Sequence, residues 1–257
     1  MDDKKVHDAI RDLVIANRIL ASEGVVDAFG HASVRHPGDT SRYLLSCSRS
    51  PGIVVADDII EFDLDSNPLN RADRSIYAER FIHGCIYKAR PDVMAICHSH
   101  AHSLIPFTIT DVPIKPVWAM SAAIGCCVPN WDIRDEFPDE GNFLVVNEAC
   151  GRSLARALDK NSACLLRGHG AVVAMTGIKA MVLASIGLKL NAEMLMQAHT
   201  LGAACKSPAI KYLSPAEVDS LSSILLSPFG LERAWEYWSM QCGYAAVPGA
   251  SQSASNR

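Results

Sequence analysis

The chain has 257 residues, of which 49% are hydrophobic and 20% are charged, and 24 Lys and Arg against 28 Asp and Glu leave a net charge of −4. This length suits one large domain with a substantial core. The absence of a basic block argues against nucleic acid as a partner, and the absence of an apolar run of about 18 residues argues against a membrane span. We expect one domain over residues 1–245 and a flexible polar tail over 246–257.

The nine cysteines and the start of the chain predict a cellular location. The cysteines are odd in number and lack the spacing of a disulfide framework. Most of them stand among apolar residues, as reduced buried thiols do. The charged amino-terminal residues lack the apolar core of a signal peptide. We therefore expect a protein of the reducing cytoplasm.

Helical and strand-like segments alternate along the chain. The first half predicts a helix over 4–23, a hairpin over 25–35 and 42–47, a strand within 53–64, a helix from 75 to about 90 and a buried strand over 93–97. The second half predicts short strands at 124–128 and 143–146, a helix over 147–160, a hairpin over 163–175, and helices over 177–201, from 214 and over 229–242. This order predicts an α/β protein with a mostly antiparallel sheet and helices on both faces.

Two histidines at the end of the buried strand are the strongest functional signal. His98 and His100 are two residues apart, so that a strand projects both from the same face, close enough to hold one metal ion. Two buried imidazoles side by side need a shared cation or separate partners. Glu79 and His169 are two further candidate ligands, and three histidines that leave a position open would form a reactive metal site.

Three other residues near these ligands have weaker interpretations. His83 follows Glu79 by four residues on the same predicted helix face, and we interpret it as a hydrogen-bonded structural histidine. His102 continues the alternation after His100 and either adds a ligand or substrate contact or lies beyond the end of the strand. Arg167 either holds a substrate carboxylate or pairs with an acidic neighbour.

Together these motifs resemble the class II aldolase/adducin family. Glu79 precedes His98 by nineteen residues, a third histidine follows in the turn 167–170, and the segment 30–35 is similar to the Gly-Asn-x-Ser-x-Arg strand of that family. The resemblance implies a three-layer α/β/α fold and a homotetramer with sites at subunit interfaces. It also implies Zn or Mn bound by His98, His100 and His169, with Glu79 as the catalytic acid and base.

The substrate-binding positions differ from those of the sugar-phosphate members. His31 replaces the Asn of the first motif, Tyr77 replaces one of two paired Ser, and the phosphate loop reads Ser48-Arg49-Ser50-Pro51-Gly52. A guanidinium at Arg49 suits a planar carboxylate, which it can hold with two parallel hydrogen bonds. We therefore expect a flat aromatic acid, contacted by His31, Ser48, Arg49 and Tyr77.

The same positions resemble the decarboxylase branch of the family. That resemblance implies a metal-dependent carboxy-lyase acting on a hydroxylated aromatic or pyridine dicarboxylate, with the metal stabilising an enolate-like intermediate. Tyr237, in the aromatic segment 233–238, either contacts the substrate of a neighbouring subunit or lies on a helix that packs through its tryptophans. The alternatives are an aldolase or epimerase acting on a sugar phosphate or related aldehyde, and a non-catalytic scaffold of the adducin kind.

Overall fold

The computed structural model describes residues 2–71, 73–139, 141–204 and 210–244. Its helices are α1 (Asp2–Ser22), α2 (Phe81–Ala89), α3 (Ile105–Thr108), α4 (Glu148–Leu158), α5 (Ile178–Ala203), α6 (Pro215–Leu225) and α7 (Pro228–Gln241). Its strands are β1 (His31–Arg35), β2 (Arg42–Ser46), β3 (Ile59–Asp63), β4 (Ala95–Ser99), β5 (Asn130–Trp131), β6 (Ala163–Leu166) and β7 (Gly170–Met175). The predicted tail at 246–257 lies outside the described residues.

All seven strands form one sheet in the order β3-β2-β1-β4-β7-β6-β5. Only the edge pair β5–β6 is parallel, and every other neighbouring pair is antiparallel. The two predicted hairpins form, as β1–β2 and β6–β7. The mostly antiparallel sheet is therefore confirmed, and β4 lies at its centre.

Each face of the sheet packs against its own hydrophobic core, which confirms the predicted three-layer α/β/α fold. The alternation along β4 sends Ala95 and Cys97 into the core that α1 and α5 share, and Ile96 into the core beneath α2 and α4. His98 has the same parity as Ile96, so it points to the α2 side of the sheet. No helix in the described part of the chain is long and apolar enough to cross a membrane.

Local capping chemistry determines where two of the predicted helices begin. Ser214 and Glu217 form a reciprocal box at α6, in which the Glu217 carboxylate accepts the Ser214 N–H at 2.7 Å and the Ser214 hydroxyl accepts the Glu217 N–H at 3.3 Å. The Asn147 side chain accepts a backbone N–H of the first turn of α4 at 2.9 Å. Both starts agree with the prediction because each cap needs only residues three positions apart.

Three predicted elements are wrong. The helix predicted from residue 75 begins only at Phe81, because Tyr77 stays extended (φ −62°, ψ 135°). Glu79 consequently lies in a short 3-10 turn before α2 and not in the middle of a helix. The predicted strand at 124–128 is replaced by the end of a 3-10 turn, which Gly125 terminates with φ +79°. The predicted strand at 143–146 does not pair, since the Val145 N–H donates to the Glu79 carboxylate instead of to a ladder.

Candidate metal centre and active site

The central strand and a neighbouring hairpin bring the candidate ligands together. His98 lies in β4 between His31 of β1 and Val172 of β7, and His100 follows directly after the strand. His169 lies in the β6–β7 turn. Gly168 begins that turn with φ +64°, a backbone conformation that residues with a side chain rarely adopt. This conformation directs His169 back over the sheet.

The three imidazoles converge through the same ring nitrogen. The Nε2 of His100 lies 3.0 Å from the Nε2 of His98 and 3.1 Å from the Nε2 of His169. Oε2 of Glu79 lies 3.6 Å and 3.5 Å from the Nε2 atoms of His98 and His169. One donor atom from each of the four residues thus falls within 4.8 Å of the others.

Each histidine is held from behind by an oxygen acceptor. The Nδ1–H of His98 donates to the Ala171 carbonyl at 3.2 Å, that of His169 to the Phe143 carbonyl at 2.9 Å, and that of His100 to the Asp27 carboxylate at 3.1 Å. Because none of these oxygens can donate, each Nδ1 carries a ring proton, and in its neutral form each imidazole turns an Nε2 lone pair toward the other two. Metal-binding histidines are oriented in this way.

This donor set fits a divalent metal ion. Three nitrogens about 2.1 Å from one ion at tetrahedral or octahedral angles stand about 3.0–3.4 Å apart, which matches the observed 3.0 and 3.1 Å. Three lone pairs that face each other without a proton between them repel one another unless a cation lies among them. Three imidazoles and a carboxylate suit either Zn or Mn.

Burial and charge shift the pKa values of these residues in different directions. Burial, together with the neighbouring His98 and His169, lowers the pKa of His100 to about 4, so this ring stays neutral, as a metal ligand must be. Although burial raises the pKa of the Glu79 carboxyl, the adjacent His98 and His169 hold it below its usual value. Glu79 is therefore an ionised carboxylate that is only 9% exposed.

Glu79 is anchored at one oxygen and open at the other. Its Oε1 accepts the Val145 N–H at 3.0 Å, whereas its Oε2 faces the histidine cluster. The backbone at Glu79 is non-helical (φ −87°, ψ 17°), and the residue lies in the turn that precedes α2. A fixed carboxylate beside an ion position can exchange a proton with a bound substrate.

A cavity of about 450 Å³ opens onto the cluster. Four aromatic rings, from Phe29, His31, Tyr77 and Phe143, are among its lining residues. His31 packs against Tyr77 with ring centroids 4.4 Å apart, and burial lowers the pKa of His31 well below its usual range. The cavity therefore offers flat surfaces next to the metal-binding atoms, and its volume lies within the range of small-molecule sites.

The other predicted substrate contacts lie outside this lining. The Arg49 guanidinium is paired with the buried Asp58 at 3.2 Å, although the Tyr77 hydroxyl connects the two regions by donating to the Arg49 carbonyl. Ser48 is exposed, and its backbone N–H donates to the carbonyl of residue 75. Tyr237 lies on α7 beside a second, apolar cavity. Within this single chain the structure brings His31 and Tyr77 to the metal-binding residues, but not Ser48, Arg49 or Tyr237.

The two residues with open interpretations take definite positions. Arg167 approaches Asp132 at 2.7 Å and lies over the Phe143 ring at 4.6 Å, so it pairs with an acidic neighbour. The same contact helps to hold the pKa of Asp132 below its usual value. His102 is exposed in the turn after β4 and is not one of the four clustered residues.

Two residues that support the site were missed in the sequence. Asp27 was assigned to a strand, but its carboxylate accepts the N–H groups of Phe29 and Gly30 at 2.8 and 2.9 Å as well as the imidazole of His100. The Asp-x-x-Gly spacing is a turn signal that would have revealed it. Phe143 adopts φ +59°, an uncommon conformation for a bulky residue, and thereby turns its carbonyl to His169. No pattern among neighbouring residues in the sequence predicts that contact.

Residues 11–196 match the family described as Class II Aldolase and Adducin N-terminal domain. The chain belongs to the class II aldolase and adducin family. It is 31% identical over 246 residues to the Decarboxylase tropJ of Talaromyces stipitatus. The aligned segment covers 89% of this chain and 92% of that protein. It is 26% identical over 234 residues to the 3,4-dihydroxyphthalate decarboxylase of Arthrobacter keyseri, with 88% and 90% covered.

The fold agrees with this family. The L-fuculose 1-phosphate aldolase from Glaciozyma antarctica PI12 superposes with a TM-score of 0.74 at 21% identity and covers 94% of this chain and 91% of its own. That likeness establishes the shared class II aldolase fold. The sequence relatives confirm the predicted enzyme class, a carbon–carbon lyase.

Proposed function

We propose that this protein is a divalent-metal-dependent decarboxylase of a hydroxylated aromatic or pyridine dicarboxylate. The observation that carries the proposal is the convergence of three Nε2 lone pairs beside an aromatic-lined cavity. The two curated relatives named above are decarboxylases, and one of them acts on a dihydroxyphthalate, which supports the same substrate class. His31 and Tyr77 stand at the positions that bind phosphate in the sugar-phosphate members of the family, and their flat rings support a flat substrate.

In this proposal His98, His100 and His169 would hold the ion, which would supply Lewis acidity to the substrate when bound. Glu79 enters the reaction as a carboxylate and takes the proton of the ring hydroxyl at Oε2. Glu79 then delivers this proton to the ring carbon that bears the departing carboxylate, which gives a dearomatised ketone. The bond from that carbon to the carboxylate breaks, CO2 leaves, and the electron pair restores the aromatic ring with the charge on the ring oxygen, which takes up a proton from water.

The retained carboxylate requires a cation, and we assign this role to Arg49 with Ser48 and Tyr77 beside it. The Arg49 side chain is 40% exposed, and among the described residues its one ion pair is the 3.2 Å contact to Asp58. A guanidinium has five N–H donors, so this contact leaves donors for a planar carboxylate. The shared Tyr77 hydroxyl keeps the Arg49 backbone next to the cavity.

We extend the proposal to a homotetramer of the cytoplasm. The exposed apolar side chains of Ile224, Phe229 and Tyr237 border a cavity of about 690 Å³, and an exposed apolar surface of this kind marks a contact surface. A neighbouring subunit at this surface would bring Tyr237 toward another copy's site. Burial raises the pKa of Cys97 and Cys164 to about 12, as expected of unreactive thiols in a reducing compartment.

The test is a substrate panel with two detection methods. The protein, loaded with Zn or with Mn, is incubated with hydroxypyridine dicarboxylates and dihydroxyphthalates while CO2 is measured, and in parallel with sugar phosphates while aldehyde release is measured. We expect CO2 from at least one aromatic dicarboxylate. Cleavage of a sugar phosphate without any CO2 would refute the proposal and favour an aldolase, and activity toward neither class with metal bound would favour the scaffold alternative.

Three variants separate the assigned roles. His98→Ala and His169→Ala should abolish both metal binding and turnover, whereas Glu79→Gln should retain the metal and lose about 100- to 10,000-fold in kcat, the usual contribution of a general acid–base. His7→Ala is the matched control, because His7 is exposed on α1 and contacts only the carbonyl of residue 3. Full activity of the wild-type protein after chelation would contradict the metal assignment.

A further inference from the structure

A chain of hydrogen bonds runs from the cavity into the interface between β1 and α2. The Nδ1 of His31 lies 2.7 Å from the Nε2 of His83, the Nδ1 of His83 lies 2.6 Å from the Ser33 hydroxyl, and that hydroxyl lies 2.9 Å from the Tyr87 hydroxyl. All four side chains are at most 1% exposed. The bonds of the chain are therefore shielded from bulk water, and only its His31 end meets the cavity.

The spacing of the four residues explains how the chain forms. His31 and Ser33 are two apart on β1 and so share one face of the strand. His83 and Tyr87 are four apart on α2 and so share one face of the helix. Where these two faces pack together, the polar groups alternate between strand and helix.

Counting protons leaves only two directions for the bonds that join His31, His83 and Ser33. Burial lowers the pKa of His83 to about 3, so His83 is neutral and carries one ring proton. Each hydroxyl also carries one proton, and each hydrogen bond requires one. Either all the bonds point from Tyr87 toward His31, or His31 and His83 donate toward Ser33 and the O–H of Ser33 or of Tyr87 is left over.

The hydroxyl end of the chain decides between these two directions. If His31 and His83 donated toward Ser33, the O–H of either Ser33 or Tyr87 would need a further acceptor, and neither hydroxyl has a partner outside the chain among the described residues. A buried donor without an acceptor disfavours that arrangement by roughly 10- to 100-fold. In the opposite direction Tyr87 donates to Ser33, Ser33 to His83, and His83 to the Nδ1 of His31, and the remaining proton, on Nε2 of His31, belongs to a residue that lines the cavity.

We propose that Ser33 and His83 are positioning residues that hold His31 in the tautomer protonated at Nε2, with this N–H available to an anionic oxygen of the substrate. His31 lines the cavity, and its ring centroid lies 5.1 Å from that of His98. Its Nε2 has no hydrogen-bond partner among the described residues, and it is at the edge of the ring away from His83. The nature of the substrate rests on the proposed function, but the tautomer does not.

The chain fixes a proton and does not pass one on. Delivery of a proton from Tyr87 through the chain would leave a buried phenolate. Burial raises the pKa of Tyr87 above its usual value, which opposes that charge. His31 therefore serves as a fixed donor that binds developing negative charge, an arrangement that stabilises a transition state without reorganisation.

The test measures the tautomer directly by 15N NMR of the metal-loaded protein with labelled histidine. We expect the one-bond N–H coupling of His31 at Nε2 in the wild type, and at Nδ1 in part of the population of Ser33→Ala, where His83 loses the hydroxyl that donates to its Nδ1. Tyr43→Phe is the control, since it removes an equally buried hydroxyl that donates to a backbone carbonyl outside the chain. A wild-type proton at Nδ1, or an unchanged His31 in Ser33→Ala, would overturn the proposal.

Kinetics provide the second measurement. With an aromatic dicarboxylate that the wild type decarboxylates, Ser33→Ala should lose about tenfold in kcat/KM at unchanged metal content, while Tyr43→Phe should match the wild type. Equal losses in Ser33→Ala and Tyr43→Phe would mean a general packing effect and would overturn the positioning role. If the wild type turns over no aromatic acid, the proposed function fails, and the NMR result still decides the tautomer.

Discussion

Replacing Gly170 with alanine should both destabilise the fold and move the proposed metal ligands apart. A Cβ on Gly170 would lie 2.0 Å from the Ser99 carbonyl oxygen and 3.2 Å from the Cα of His100. The first distance is about 1.5 Å shorter than the contact that non-bonded heavy atoms prefer. Both neighbours are backbone atoms at the β4–β7 pairing, so no side chain can rotate away to relieve the clash.

The magnitude follows from this geometry. Overpacking in a well-packed interior usually costs 1–3 kcal/mol, and a clash with fixed backbone belongs at or above the upper end, about 3 kcal/mol. Such a loss is a large part of the 5–15 kcal/mol that stabilises a typical domain. The strands must separate to accept the methyl group, which moves His169 away from His98 and His100, so metal affinity should fall as well.

Urea unfolding of the metal-free protein and a separate Zn titration measure the two effects. Gly52→Ala is the control, because a Cβ there would meet only Ala21 Cβ at an ordinary 3.5 Å. We expect a much lower urea midpoint and weaker Zn binding for Gly170→Ala, and wild-type values for Gly52→Ala. A wild-type midpoint for Gly170→Ala would refute the close strand approach, and wild-type Zn affinity would refute its link to the ligands.

Three further predictions concern acid stability, substrate affinity and a helix cap. Burial lowers the pKa of His83 to about 3 from a usual 6.5, so the unfolded chain binds one more proton than the folded protein between these pH values. The free energy of unfolding should therefore be highest above pH 6.5 and fall with decreasing pH by up to about 1.4 kcal/mol per pH unit. His83→Gln should reduce this slope, as measured by urea melts at several pH values. Arg49→Lys should raise KM for an aromatic dicarboxylate by about tenfold with little change in kcat in steady-state kinetics, because it removes a bidentate donor. Ser214→Ala should lower the urea-derived stability by about 1 kcal/mol, since the box with Glu217 is lost; no change would contradict the cap.

Features that depend on near neighbours in the chain were predictable. The alternation in 93–97 placed His98 and His100 on one face of a buried strand, and the Gly-flanked turn placed His169 at a hairpin tip. The helix start near Glu79 was predicted wrongly, because Tyr77 is held extended by packing on His31 and by its bond to the Arg49 carbonyl. Those contacts span 46 and 28 positions, so no local propensity reports them.

The sequence by itself determined the family, the layered fold and the four residues of the candidate metal centre, since periodicity, capping and a fixed motif spacing are written in consecutive residues. Only the tertiary structure decided how those residues are supported. Asp27 and the Phe143 carbonyl orient His100 and His169 from distant loops, and the Arg49 guanidinium forms an ion pair with Asp58. Such pairings depend on which backbone and side-chain groups come within hydrogen-bond distance, about 3 Å, once the chain has folded.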